Sequence, residues 1–169
     1  MNTPLSPAEA SVLCVGERSF AAQVELLARY GLQLHHVAAG EKIPGSFWSE
    51  PEAGVIADNV YVRDDTPIHS MLHEACHLIV LTPERRALVH TNATDSDIEE
   101  DATCYLQILL ADGLPGVGRE RLMADMDAWG YSFRLGSTRS WFEGDAEDAR
   151  LWLEARDLLR PRFDQARAA

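Results

Sequence analysis

Basic residues and cysteines are both scarce in this sequence, and the shortages exclude several classes of protein. Only 15 lysines and arginines stand against 27 aspartates and glutamates, which gives a net charge of −12. A chain this acidic repels phosphate backbones, so we expect no nucleic-acid partner. The three cysteines, Cys14, Cys76 and Cys104, are odd in number and form no CxxC pair. They are interpreted as small buried apolar residues in a reducing compartment, not as a disulfide framework.

Long apolar runs are also missing. No run approaches the roughly 20 residues that cross a bilayer. The stretch 1–19 has no basic segment ahead of its short apolar run, so it does not resemble a signal peptide. We therefore expect no membrane partner and a cytoplasmic location. The chain has no internal repeat and no linker, and we interpret residues 1–169 as a single domain.

Apolar spacing and turn residues predict helices on both sides of a small β region. A strand is expected at 32–37 and a bent strand around Phe47 and Trp48, while the runs around Asp58 and Asn59 predict a hairpin or a strand with a turn. Residues 131–144 are expected to be irregular. The predicted helices cover 6–14, 67–81, 98–110, 119–130 and 145–160, and a further one lies within 17–31, with Gly31 as its stop. This order favours an α+β fold, with a short, mostly antiparallel sheet packed on helix 67–81 and on further helices.

The segment PIHSMLHEACHLIVL, residues 67–81, carries the main chemical signal. His73 and His77 are four residues apart and therefore share one helix face. With Glu74 they form an HExxH pattern, in which two imidazoles bind zinc and the glutamate handles the proton of a water. An amphipathic helix with two exposed histidines would match the same three letters. The apolar flanks predict a buried helix instead, where unpartnered polar groups are costly.

A catalytic zinc needs a third protein ligand, and the helix 98–110 offers Glu99, Glu100 and Asp101. At about 100° per residue, Glu100 is expected to point away from the apolar stripe, into solvent. Glu99 lies on the edge of the stripe and is the predicted third ligand. Asp101, on the other edge, is the alternative or a partner of a ligand. The stripe itself consists of Ile98, Ala102, Tyr105, Leu106 and Leu109.

Other polar residues receive weaker interpretations. His69 extends the histidine row by one turn and is expected to be a helix-start residue more than a ligand. Tyr131, Arg134 and Arg139 lie in the stretch expected to be irregular. One of these three is a candidate to stabilise an oxyanion or to hold a substrate, although Tyr131 is equally compatible with the core.

The run HEACH followed by IEEDATCYL resembles the glutamate-ligand zincins, and most of all the ImmA/IrrE group of zinc metallopeptidases. The resemblance covers about 55–110. It implies a strand before HExxH and a third ligand at the first position of an E-x-x-A-x-x-F-A-like helix. Glu99 and Ala102 fill those two positions, Tyr105 stands at the aromatic one, and Leu106 replaces the small residue. The chain has AC where the group usually has LG, and no helix-turn-helix segment, so a role in repressor cleavage is not carried over.

These observations together predict a zincin-like domain with a minimal core at about 55–113 and a helical part at 119–165. The expected function is that of a zinc-dependent metallopeptidase acting on a peptide or protein, with Zn²⁺ held by His73, His77 and Glu99. Glu74 is the expected general base. Two alternatives remain open: a zinc amidohydrolase acting on a non-peptide substrate, and a non-catalytic zinc-binding or sensing module.

The resemblance also suggests where a substrate would lie. In zincins a strand just before the zinc helix is typically the edge of the sheet, and residues 59–63 stand in that place. An extended peptide can pair with an exposed edge. Arg63 would then favour an acidic side chain in the substrate. Alternatively, the loop that contains Trp48 covers this strand, and Trp48 plugs the cleft.

Overall fold

The computed structural model describes residues 11–46, 51–93 and 96–160. Within these ranges the chain forms an α+β structure with a small sheet and seven α-helices. The strands are β1 (Gln33–His36), β2 (Gly54–Ile56) and β3 (Asn59–Val62). The helices are α1 (Phe20–Ala28), α2 (Ile68–Val80), α3 (Pro83–Arg86), α4 (Asp97–Leu110), α5 (Gly118–Trp129), α6 (Thr138–Gly144) and α7 (Glu147–Ala155). Short 3₁₀ turns occur at Val15–Glu17 and Ala111–Gly113.

The three described strands form a mixed sheet in the order β1-β3-β2. β3 is parallel to β1 and antiparallel to β2, so the sheet is not mostly antiparallel. The prediction that residues 59–63 form the sheet edge is wrong, because β3 is hydrogen-bonded on both sides. Val60 and Val62 are completely buried, as expected for a central strand. The outer side of β2 is itself covered: Val55 N–H donates to Gly45, and Thr91 N–H donates to Val55.

Helix α2 lies between the sheet and α4, and this position explains its composition. Its residues Met71, Leu72, Ala75 and Cys76 are completely buried. The helix begins after Pro67 and ends at Leu81, because Pro83 disfavours helical geometry at the residue before it. Helix 67–81 was therefore predicted correctly to within one residue at each end. Side chains from both flanks of α2 contribute to one hydrophobic core.

The C-terminal part differs most from the sequence prediction. Residues 138–144 form helix α6, although 131–144 were expected to be irregular. Ser137 caps this helix by accepting from Ser140 N–H, and the Thr138 hydroxyl donates to Asp127. Trp141 is buried, so tertiary packing stabilises a helix too short to show periodicity. Helix α7 covers only Glu147–Ala155 of the predicted 145–160.

Two predictions fall at the limits of the described ranges. The predicted strand around Phe47 and Trp48 lies outside them, as do residues 6–10 of the predicted helix 6–14. For the described part of that helix the prediction is wrong, because residues 11–13 are not helical and Cys14 forms an isolated β-bridge with Pro67. The predicted hairpin is confirmed, with its turn at Ala57, whose φ is 50°. None of the described helices is both long and apolar enough to cross a membrane.

Candidate metal centre

Two imidazoles of α2 converge on one carboxylate of α4. His73 and His77 lie one helical turn apart, with ring centroids separated by 4.5 Å. Nε2 of His73 lies 3.0 Å from one oxygen of Glu100, and Nε2 of His77 lies 3.4 Å from the other. Both histidine side chains are largely buried, while that of Glu100 is 45% exposed. Two nitrogens and a carboxylate therefore meet at one place near the surface.

The opposite nitrogens of both rings are held by α4. Nδ1 of His73 lies 2.9 Å from Oε1 of Gln107, whose amide nitrogen donates to the backbone oxygen of His69. Nδ1 of His77 lies 3.4 Å from the hydroxyl of Thr103, which donates to the backbone oxygen of Glu99. Gln107 and Thr103 are completely buried. The Gln107 oxygen can only accept, and the Thr103 hydroxyl already donates to Glu99, so each accepts a proton from the Nδ1 atom it faces. The Nε2 atoms are therefore the ones directed at Glu100.

This hydrogen-bond pattern fits a metal cation. With Nδ1 protonated, each Nε2 faces Glu100 either as an N–H donor or, in a neutral ring, as a lone pair that needs a cation between it and the oxygen. Burial lowers the pKa of His73, but Tyr131, Cys104 and Glu100 outweigh it and raise this pKa well above its usual value. Without a metal, His73 therefore pairs with Glu100 as a cation, and a metal ion would take the place of that proton. Burial lowers the pKa of His77 to about 3, so this imidazole stays neutral. Tetrahedral ligands at about 2.0–2.3 Å from zinc stand roughly 3–4 Å apart, close to the separations seen here. Outer hydrogen bonds of this kind are typical of metal-ligating histidines.

Glu100 occupies the place where the sequence analysis put Glu99. The prediction that Glu100 points away into solvent is wrong, since its oxygens contact both histidines. Glu99 is buried, but both of its oxygens accept from the guanidinium of Arg85 on α3. Asp101 is exposed and belongs to neither group of residues that could hold a metal among those described. The structure thus brings His73, His77 and Glu74 together, and adds Glu100.

The error arose from the choice of the buried face of α4. The apolar stripe read from the sequence runs through Ala102, Tyr105 and Leu106. In the structure the helix also buries Thr103 and Gln107. These two polar residues lie three and seven positions after Glu100, on the same face. Their side chains are satisfied by the histidines and by backbone oxygens, which makes their burial tolerable. The sequence does contain a signal for this face, because the polar residues Thr103 and Gln107 follow Glu100 at helical spacing.

Glu74 lies beside the two histidines, as the motif predicted. One oxygen of Glu74 and one ring nitrogen each of His73 and His77 lie within 4.8 Å of one another. Burial raises the pKa of Glu74 to about 7; nearby Glu52 and Glu100 add to the effect, and His73 opposes it. A carboxyl with this pKa exchanges protons readily near neutral pH. The arrangement can accept a proton next to a bound metal.

A second carboxylate, Glu52, is anchored close to Glu74, and the sequence analysis missed it. The Ser70 hydroxyl donates to one oxygen of Glu52, and the Trp129 indole N–H donates to the other at 3.0 Å. The backbone N–H of Ala53 in turn donates to Ser70. Glu52 thus links the loop before β2 to α2 and α5. No sequence spacing relates these positions, so only the fold reveals the cluster.

Tyr131 belongs to the same region, while the arginines do not. The Tyr131 hydroxyl lies 3.2 Å from Nδ1 of His69 and 3.4 Å from the amide nitrogen of Gln107. Its ring is in edge contact with His73. Arg134 and Arg139 instead pair with acids at the surface, Arg134 with Asp145. Trp48, the proposed plug of the cleft, lies outside the described residues.

Arg63 is already paired within the chain. Arg63 is buried, donates to both oxygens of Asp65 and contacts the backbone oxygen of Glu41. An acidic substrate side chain would have to compete with Asp65.

His69 is buried against the rings of Trp129 and Tyr131, and burial lowers its pKa to about 3. Among the described residues its Nε2 has no hydrogen-bond partner. It is part of the core beneath the site and does not face Glu100.

Comparisons with known proteins add nothing to this geometry. No protein-family model matches the chain, and neither a curated protein nor a solved structure shows significant similarity to it. The described geometry nevertheless defines two overlapping groups that could hold a metal ion, one of His73, Glu74 and His77, and one of His73, Glu100 and Cys104.

Proposed function

We propose that the chain is a zinc-dependent hydrolase of the metallopeptidase type, with His73, His77 and Glu100 as metal ligands. The observation that supports this most strongly is the hydrogen-bond arrangement: both Nδ1 atoms are occupied by Gln107 and Thr103, and both Nε2 atoms meet one carboxylate. Two imidazoles and a glutamate are a ligand set found in catalytic zinc sites. The HExxH part of the resemblance to the ImmA/IrrE group agrees with this proposal. Its E-x-x-A part placed the third ligand at Glu99, which pairs with Arg85 instead.

The chain's own groups would carry the proton transfer. A zinc ion supplies Lewis acidity, which polarises a carbonyl and lowers the pKa of a coordinated water. Glu74 lies within 4.8 Å of both histidines, and its pKa of about 7 suits a group that accepts a proton and later delivers it to a leaving amine. The Tyr131 hydroxyl lies near His73 and is a candidate to orient a substrate carbonyl. A peptide is the proposed substrate.

Metal analysis and a cleavage screen test this proposal. Purified wild-type protein should contain about one zinc per chain, and should cleave members of a proteome-derived peptide library in a chelator-sensitive manner. The variant Glu74→Gln should keep the zinc but lose turnover, because an amide cannot accept the proton. A control variant, Glu120→Gln, changes an exposed glutamate that pairs with Arg139 and should behave as wild type. Metal-free wild-type protein would refute the site, and loss of zinc in Glu74→Gln would make that residue a ligand.

A further inference from the structure

Cys104 lies beside His73 and Glu100, a position that its burial alone does not require. It follows Glu100 by one helical turn on α4. Its sulfur, a ring nitrogen of His73 and an oxygen of Glu100 all lie within 4.8 Å of one another. From the sequence, all three cysteines are interpreted as small buried apolar residues. That interpretation accounts for the burial of Cys104 but not for its position beside two metal-binding side chains.

We propose that Cys104 is a fourth protein ligand of the metal, which closes the site in the resting protein. This inference rests on the proposed zinc centre and concerns its regulation. A catalytic zinc keeps one position open for water, whereas four protein ligands make a closed site. Thiolate sulfur is a soft ligand that zinc binds well. The sulfur, a nitrogen of His73 and an oxygen of Glu100 lie within 4.8 Å of one another, and His77 belongs to the overlapping group that shares His73. Ligand atoms around a tetrahedral zinc stand roughly 3–4 Å apart, so the four side chains would have to draw together around the ion.

The other cysteines provide matched controls. Cys76 is also completely buried and lies on α2 between His73 and His77, but belongs to neither metal-binding group among the described residues. Cys14 is partly exposed and lies on the segment before α1, where its sulfur contacts the backbone oxygen of Val12. If the thiol at position 104 binds the metal, only its removal should change the ligand set.

Cobalt substitution tests the proposal without requiring activity. Metal-free full-length protein is titrated with Co²⁺, which in a protein site of low coordination number gives visible ligand-field bands. A thiolate ligand adds a near-ultraviolet charge-transfer band. We expect both in the wild type and in Cys76→Ala and Cys14→Ala. The variants Cys104→Ala and Cys104→Ser should keep the visible bands and lose the charge-transfer band. The serine variant preserves side-chain size, and circular dichroism checks that both variants fold.

The outcomes separate this inference from the proposed function. Visible bands without charge transfer in the wild type, or a charge-transfer band that survives in Cys104→Ala, would refute Cys104 as a ligand and leave the zinc centre intact. Absence of any cobalt band in the wild type would refute the centre itself.

Zinc competition with a chromophoric chelator gives a second readout. Removing a hydrogen-bond partner of a metal ligand typically lowers metal affinity about tenfold or more, and removing a ligand should cost at least as much. We therefore expect zinc affinity to fall by about tenfold or more in Cys104→Ala and to stay unchanged in Cys76→Ala. If the site is closed by Cys104, the Cys104→Ala variant should also cleave the peptides found in the screen faster than the wild type. Equal rates in the two proteins would overturn the closing role.

Discussion

The side-chain oxygen of Gln107 lies 2.9 Å from Nδ1 of His73. The amide nitrogen of the same Gln107 donates to the backbone oxygen of His69, four residues earlier on α2, at 2.8 Å. One side chain of α4 therefore fixes both the orientation of the imidazole and the nitrogen that carries its proton. The remaining nitrogen, Nε2, is directed at Glu100. Through this contact the geometry of the candidate metal centre depends on the packing of α2 against α4.

Replacing Gln107 should weaken metal binding without removing a ligand. The variant Gln107→Leu leaves Nδ1 of His73 without an acceptor, so we expect zinc affinity to fall by about 10- to 100-fold. Gln107→Glu keeps an acceptor at this place and should lose less affinity than Gln107→Leu. Competition titration with a chromophoric chelator measures both. Equal affinities of Gln107→Leu and the wild type would mean that this hydrogen bond does not orient a ligand.

Replacing Glu99 and Glu100 by glutamine, one at a time, distinguishes the roles of these neighbouring residues. Glu100→Gln should reduce zinc affinity by at least about tenfold, because its carboxylate meets both histidines. Glu99→Gln should retain the metal, since Glu99 pairs with Arg85. It should instead lower the free energy of unfolding by about 1–3 kcal/mol, because a charged hydrogen-bonded pair is broken. Metal content and urea unfolding of both variants provide the measurement. The reverse pattern would restore Glu99 as the ligand.

His69 should make the metal-free protein sensitive to acid. Its pKa is about 3 in the fold and about 6.5 in an unfolded chain, because burial disfavours the charged ring. Below pH 6.5 the unfolded state binds a proton that the folded state does not, so stability falls as the pH falls from 6.5 towards 3. Between pH 7 and pH 4 this loss amounts to up to about 3 kcal/mol.

Urea unfolding in a chelating buffer at several pH values measures the effect. His69→Phe should decrease the slope of stability against pH by about one proton, while the buried His77 continues to contribute in both proteins. An unchanged slope in His69→Phe would mean that His69 is not buried in its neutral form.

A proline in β3 should unfold the protein, because this strand is central. Val60 pairs with Leu34 on one side and with Val55 on the other. The variant Val60→Pro removes a backbone donor from the ladder and should cost about 3 kcal/mol or more. Val60→Ala keeps the N–H and should remain folded at reduced stability, as followed by circular dichroism during urea unfolding. A Val60→Pro protein as stable as the wild type would place β3 at an edge after all.

The local sequence determined the elements whose signals lie within one or two helical turns. The apolar flanks and Pro83 define α2, the capping residue Ser96 begins α4, and the spacing of His73 and His77 places them on one face. These features depend on backbone preferences and on the helical period, which act between near neighbours along the chain. The candidate histidines and Glu74 were therefore accessible to sequence reasoning.

Tertiary packing decided which acidic side chain reaches the histidines. Glu99 and Glu100 are adjacent, and their assignment depends on the rotation of α4 against α2, which apolar residues alone did not indicate. Burial of Thr103 and Gln107 turns Glu100 inward, and Arg85 captures Glu99 from another helix. The central position of β3 and the anchoring of Glu52 by Ser70 and Trp129 likewise join residues far apart in the chain. Such contacts are fixed only when the whole core packs, since no local periodicity encodes them.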